Sequence, residues 1–460
     1  MDYAPLIARQ RAFFQTGATL PEEFRRAGLH TLLNALVANE NGLLAALRAD
    51  LRKSPHEAYA SEIGFVLGEI RHALRHLAAW MKPERRRAPL LAWPARAMVR
   101  PEPYGVALIL GPWNYPLQLL LSPLVAAIAA GNCAVLKPSE SAPRAAEIIV
   151  RIIRAAFPEE FIAIVPGDQS TAEALLMEKY DTIFFTGGAR AGRAVMTAAE
   201  RHLTPVTLEL GGKCPCIVCA DAPLETAARR IAWGKFMNAG QTCVAPDHVF
   251  VDRRVAAAFL EALKTTLREF HGGDPQQSPD YGRIIHRGHF DRLTGYLDQG
   301  TIAAGGRHDA DDLYIEPTIL TDVPPDASVM REEIFGPILP VLEFGKIDGV
   351  LATLRDQPTP LALYLFTHDR RIRERVLAGA RSGGVCINDT VTHILGKDLP
   401  FGGLGESGMG AYHGKAGFDC FSHRRTVLER SLRIDPAFRY PPAGTSLAAL
   451  KRVLRIFGAG

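Results

Sequence analysis

The sequence predicts an α/β protein: a parallel sheet covered by helices on both faces, followed by a second α/β region. Three observations predict it. Between Val106 and Leu210, short apolar runs alternate with stretches of helical spacing, the pattern of βαβ units. The charge-free stretch from Pro103 to Leu136 is broken by Gly111-Pro112, Asn114, Pro116, Gln118 and Pro123. It therefore reads as a buried strand, a loop and a buried helix, because a membrane span needs roughly 20 continuous apolar residues. The chain has 460 residues, 47% of them hydrophobic, enough for a sizeable core and more than one domain.

In chain order, residues 1–82 are predicted to be helical. Leu29, Leu32, Leu33, Leu36 and Val37 recur at helical spacing, as do Leu43, Leu44, Leu47 and Leu51. Residues 83–103, rich in Pro and Arg, read as an extended arm or linker, with Arg85-Arg86-Arg87 as a solvated turn. A strand follows at 106–110, then a helix at 117–130 stopped by Gly131 and a strand at 133–136. The next helix, 143–157, has Ser141 as its cap and Pro143 in its first turn. Strand 162–165, helix 171–177, strand 182–185, helix 191–201 and strand 206–210 complete the first region. Ligands of such sheets bind at the carboxyl ends of the strands. The second region begins near Gly211, with a strand at 217–218, helices at 224–237 and 255–270, and strands at 338–342 and 362–366. Residues 396–460 are less regular, although Leu447, Leu450, Leu454 and Phe457 share one helical face away from Lys451, Arg452 and Arg455. The preferred reading of that face is a helix docked on the body or on a partner subunit. The alternatives are a cover over a substrate mouth and a peripheral contact with a membrane, not a span.

Lys and Arg number 53 against 49 Asp and Glu, a net charge of +4 that is too small to imply a nucleic-acid partner. No basic segment followed by an apolar run opens the chain, so no secretory signal is expected. Seven cysteines, an odd number widely scattered, argue against a disulfide framework and for a reducing, cytoplasmic compartment. Cys214, Cys216 and Cys219 have no matching ligand cluster downstream, so they read as small core residues and no metal site is expected.

Several residues are candidates for chemistry, each with a plain alternative. Cys243, in Asn238-Ala239-Gly240-Gln241-Thr242-Cys243, sits among small residues that leave a thiol accessible to attack a carbonyl; the alternative is an inert buried cysteine. Glu209 ends an apolar strand before Gly211-Gly212, where burial would raise its pKa and suit it as a general base; the alternative is a charge paired with a nearby Lys. Asn114 follows the first strand, and its amide suits a developing oxyanion; the alternative is a turn residue between prolines. Lys137 and Glu140 follow the second strand and could bond ribose hydroxyls, or be solvated turn charges. Gly187-Gly188-Ala189-Arg190-Ala191-Gly192 opens a helix after a strand, as a phosphate site would, but lacks the G-x-G-x-x-G spacing. Glu333 and Phe335 would share one face of an extended segment, or be a surface acid beside a packed ring.

Taken together, these segments resemble one family. GPWNYP (111–116), LKPSE (136–140), FFTGG (184–188), LELGGK (208–213), NAGQTCVAPD (238–247), EEIFGP (332–337) and PFGGLGESGMGAYHGKAGFDCFSH (400–423) are similar, in order, to the NAD(P)-dependent aldehyde dehydrogenases, within them the class 3 and fatty aldehyde dehydrogenase branch. The resemblance implies a Rossmann-type NAD(P)-binding domain (1–82 and 104–210), a catalytic domain (211–395), a bridging and oligomerisation element (83–103 and 396–430) and a tail (431–460). It implies Cys243 as nucleophile, Glu209 as base and Asn114 as oxyanion donor. Lys137 and Glu140 would hold the adenosine ribose, and Gly187, Gly188 and Gly192 the pyrophosphate. Glu333 would hold the nicotinamide ribose, Phe335 would pack near the nicotinamide, and Pro112, Trp113 and Leu210 would also bind the cofactor. Tyr115, Trp233, Met237 and the chain near Ile394 would form an apolar tunnel for a medium- or long-chain aliphatic aldehyde, or an aromatic one. A homodimer is implied as well. Gly188 departs from the family's usual Ser, which removes a hydroxyl from the pyrophosphate turn, and Arg190 adds a charge. The rivals are a cofactor-independent cysteine hydrolase or acyltransferase, a non-catalytic binding relative, and an enzyme that passes its thioester to coenzyme A.

Overall fold

The computed structural model describes residues 2–89, 92–435, 440–441, 444 and 446–456. The N-terminal region is helical, as its leucine spacing predicts: Ala4–Gln15, Glu22–Ala38, Glu40–Leu51 and Gly64–Trp80 are α-helices. Leu29, Leu32, Leu36, Leu43, Leu47 and Leu51 are buried, whereas Val37 faces solvent. A π-helical turn, Tyr59–Ile63, precedes the last of these helices.

The first sheet has six strands. From edge to edge they are Ile162–Ile164, Cys133–Lys137, Val106–Leu110, Thr182–Thr186, Val206–Glu209 and Gly408–Met409. The first five are mutually parallel, and the sixth is antiparallel to Val206–Glu209. Val106–Leu110 and Cys133–Lys137 are buried along their whole length, which explains their unbroken apolar composition. The strand order reverses beside Val106–Leu110, so a crevice opens at the carboxyl ends of this strand and Thr182–Thr186.

Between Val106–Leu110 and Cys133–Lys137 in the chain runs the fully buried helix Gln118–Ala130. Gly131 ends it at φ 93°, and a β-carbon there would lie 2.7 Å from the Arg25 guanidinium. Arg25 donates to the Ala129 carbonyl from this position, so glycine serves both the turn and its cationic neighbour. The helix Pro143–Ala156 corrects one expectation. Its cap position is Ala142, not Ser141, and the Asp50 carboxylate accepts from the N–H groups of Arg144 and Ala145 at 3.2 and 2.8 Å. The cap comes from another helix, which local spacing cannot reveal.

The second sheet has seven strands: Thr301–Ala304, Thr318–Thr321, Ile338–Phe344, His248–Asp252, Pro215–Val218, Ala362–Phe366 and Gly384–Ile387. All pairs are parallel except the one made by Thr301–Ala304. Within the expected extended arm, residues 83–103, the segments Glu84–Arg86 and Ala95–Pro103 are strands of a sheet. Ala95–Pro103 pairs with Ser422–Arg430 across nine residues, and Glu84–Arg86 adds a third strand. Arg85 and Arg86 are therefore exposed strand residues, not a turn. In the tail, Leu447–Ile456 is a helix with Leu447 and Leu450 exposed; Phe457 lies outside the described residues.

Candidate active site

The site forms where the ends of the two sheets face each other. Asn114 follows Val106–Leu110, Glu209 ends the strand Val206–Glu209, and Cys243 lies in the connection between helix Leu224–Phe236 and strand His248–Asp252. The turn before Cys243 carries unusual backbone: Asn238, Ala239 and Gly240 have φ of 52°, 51° and 75°. A β-carbon on residue 240 would lie 2.2 Å from the Gly336 carbonyl oxygen, so only glycine fits. Hydrogen bonds hold this strained turn. The Asn238 N–H donates to Glu57 at 2.7 Å, and the Gln241 amide donates to the Asn238 and Arg283 carbonyls. After Cys243, the Tyr364 hydroxyl donates to the Val244 carbonyl.

Two cavities meet at the half-buried Cys243. The first, about 270 Å³, is walled by Pro112, Trp113 and Asn114, by Gly187 and Gly188, by Glu209 and Leu210, and by Glu333 and Phe335. Ten of the sequence-predicted residues, Cys243 included, thus line one cleft. Lys137 and Glu140 are not in its lining. They are bonded to each other, and the Lys137 carbonyl accepts from the Gly111 N–H at the root of the Asn114 loop. Gly192 is not in the lining. It packs against Leu210, where a β-carbon would approach to 2.8 Å.

Burial decides the electrostatics of the cleft. The Glu209 carboxyl is 2% exposed, neither of its oxygens has a hydrogen-bond partner among the described residues, and burial pushes its pKa well above the carboxylate range. Burial likewise pushes Glu333 up to about 8, opposed by the Gly212 N–H, and leaves its Oε1 without a partner among the described residues. A β-carbon on Gly211 would sit 2.1 Å from the Glu333 carboxylate, so the glycine pair after Glu209 makes room for the second carboxyl. Burial also pushes the Cys243 thiol well above its usual value, helped by Glu209 and Glu333. Asn114 is buried and uses one amide N–H on the Gln241 carbonyl at 3.1 Å.

The second cavity, about 160 Å³, is an apolar tunnel. Tyr115, Trp233, Met237 and Ile394 line it as the sequence predicts, and Trp233 is 42% exposed. Phe65, Phe401, Tyr412 and His413 complete its aromatic wall. The last three fall inside the 400–423 segment, which was the available signal for them. His289 and Arg292, from the helix Arg287–Thr294, were missed in the cleft. His289 donates to the Phe335 carbonyl at 2.8 Å and Arg292 to those of Glu333 and Ile334, but no motif marked them. Gly188 leaves open space where a side chain would stand, and Arg190 is exposed.

Unpartnered buried carboxylate oxygens in a cleft with a glycine-opened floor fit a polyhydroxylated ligand such as a dinucleotide's ribose. The model of the aldehyde dehydrogenase family matches residues 2–427. The chain is 47% identical over 438 residues to human aldehyde dehydrogenase family 3 member B1, covering 95% of this chain and 94% of that one. It is 44% identical to a Mus musculus protein named "aldehyde dehydrogenase, dimeric NADP-preferring", covering 96% and 98%. A solved structure described as the substrate-bound state of Staphylococcus aureus AldH superposes with a TM-score of 0.96 at 43% identity, over 98% of this chain and 99% of that one.

Proposed function

The chain belongs to the aldehyde dehydrogenase family, in its class 3 branch, and from that premise we propose which side chain does what. The protein oxidises an aldehyde to a carboxylic acid with NAD(P)+. In our reading, the Cys243 sulfur, after losing its proton, adds to the aldehyde carbon. The Asn114 amide and the Cys243 backbone N–H donate to the carbonyl oxygen as it becomes an oxyanion. The bound cofactor supplies the hydride acceptor. Glu209 then takes a proton from the water that hydrolyses the thioester on Cys243, and the acid leaves. The single observation that carries this reading is that Cys243 lines both cavities, with Asn114 and Glu209 in the wall of the first.

Lys137 and Glu140 would hold the adenosine ribose, the helix start at Gly187, Gly188 and Gly192 the pyrophosphate, and Glu333 the nicotinamide ribose. Phe335 and Trp113, with rings 5.5 Å apart, would wall the nicotinamide beside Pro112 and Leu210. Glu140 disfavours a 2′-phosphate, while its bond to Lys137 offsets that charge, so both cofactors are accepted in this reading. The tunnel lining of Tyr115, Met237 and Trp233 suits medium- or long-chain aliphatic, or aromatic, aldehydes.

The same reading divides the chain into a cofactor-binding domain (1–82 and 104–210), a catalytic domain (211–395), a bridging element (83–103 and 396–430) and a tail (431–460). The long, half-exposed strand pair of the bridge, and the dimer named for the mouse relative, support a homodimer. All seven cysteines are free, which supports a cytoplasmic setting. No described helix is long and apolar enough to cross a membrane. The tail helix, with Leu447 and Leu450 exposed, is read as docking on the body or a partner subunit.

The base assignment is separable from the rest. Glu209→Gln should still deliver one burst of reduced cofactor, while steady turnover falls by roughly 10²–10⁴-fold. Release of acid at the wild-type rate would refute the assignment.

A further inference from the structure

Beneath the site lies an ion pair that none of these roles uses. Lys53 and Glu62 meet at 2.5 Å with both side chains fully buried. Glu62 belongs to the π-helical turn Tyr59–Ile63. The remaining side-chain hydrogen bonds of the pair, among the described residues, all go to one short segment. Lys53 Nζ donates to the Asn114 carbonyl oxygen at 2.9 Å. Glu62 accepts from the N–H groups of Leu117 at 2.9 Å and Gln118 at 3.2 Å. Lys53 Nζ also stands 3.9 Å above the centre of the Tyr115 ring.

That segment is tied in turn to the nucleophile's turn. Asn238 donates to the same Asn114 carbonyl at 2.9 Å, the Asn114 amide donates to the Gln241 carbonyl at 3.1 Å, and the Tyr115 hydroxyl meets Thr242 Oγ1 at 2.7 Å. Thr242 immediately precedes Cys243. The loop that carries one oxyanion donor therefore hangs between the buried pair and the turn that carries the other.

Stability does not account for such a pair. Desolvating two charges costs several kcal/mol per ion, and apolar replacements of similar volume are often as stable. What the charges provide is direction: strong, charge-assisted hydrogen bonds that fix the backbone of residues 114–118 from below. We propose that Lys53 and Glu62 are positioning residues for aldehyde oxidation, holding the Asn114 amide in line with the Cys243 N–H about the substrate oxygen. The proposal rests on Asn114 being an oxyanion donor.

The test is a cycle built on single-turnover hydride transfer, read as the growth of reduced-nicotinamide absorbance with saturating cofactor and a long-chain aldehyde. Lys53→Met/Glu62→Met removes both charges together and leaves neither buried alone. It should slow hydride transfer by about 10–100-fold while changing the aldehyde KM by less than about threefold. Asn114→Ala alone should slow it by about 10²–10³-fold. Adding the double substitution to Asn114→Ala should slow the step no further, because the pair acts through that amide. Equal slowing in both backgrounds, or no slowing by the double substitution where Asn114 is intact, overturns the proposal. An unchanged rate in Asn114→Ala itself overturns the oxyanion reading instead, and the proposal with it. Lys53→Arg, which keeps the charge but not the single Nζ contact, is read in the same cycle if the double variant does not fold.

Discussion

The two cavities that share Cys243 are built by opposite means. The cleft is made at strand ends and helix starts, where the sheet fixes each residue. Its walls carry buried polar groups: the Glu209 oxygens and Glu333 Oε1 have no partners among the described residues. The tunnel is assembled from separate pieces, including helix Gly64–Trp80, the start of helix Gln118–Ala130, helix Leu224–Phe236 and the segment Phe401–His413. Its recognition is apolar shape. A site that must hydrogen-bond a constant ligand gains from a rigid frame, whereas a site that needs only volume can draw on many segments and tolerate change in each.

If the two cavities are separable in this way, filling one should spare the other. Met237→Trp narrows the tunnel and should lower kcat/KM for a long-chain aldehyde by roughly 10–200-fold. With a two-carbon aldehyde the loss should be under about threefold, and the dissociation constant of reduced cofactor, followed by fluorescence, should hold. Loss of cofactor affinity in parallel would break the contrast. A smaller effect probes the cleft. Glu333 is neutral below about pH 8 in the free site, and ribose hydroxyls favour its ionised form. Cofactor binding should therefore expel a proton below pH 8. In a Glu209→Gln background, affinity should rise by up to about tenfold per unit as pH rises toward 8, then level off. Titrations in Glu333→Gln should be flat over this range; persistence of the slope there would assign it to another group. The smallest change is expected from Gly188→Ser. The space at residue 188 is open and its φ is −78°, so serine fits without strain. It should tighten cofactor binding by about 2–10-fold through one added hydroxyl contact, measured by the same titration.

The same contrast governs what the sequence made legible. Glu209 and Asn114 stood out at or just after the ends of apolar strands, Cys243 because small residues precede it, and the structure gathers them in one cleft. The strand His248–Asp252 escaped notice because its polar ends, His248 and Asp252, are themselves buried and break the apolar signature. The nine-residue strand Ser422–Arg430 looked irregular for the opposite reason. Its side chains are mostly exposed, and only pairing with Ala95–Pro103, hundreds of residues earlier, makes it a strand. The Asp50 cap and the contacts of Lys53 and Glu62 are likewise properties of distant segments meeting, which no local pattern encodes.

The short strand Gly408–Met409 lies along Glu209 and Leu208 as the outer rung of the first sheet. During synthesis, the edge bearing Glu209 stays bare until about 200 more residues have been added, roughly 10–40 s at ordinary elongation rates. A bare edge invites pairing with foreign chains. The newborn protein thus completes its sheet only near the end of translation, and a chain cut short before residue 408 would emerge both without Tyr412 and His413 of its tunnel wall and prone to clump.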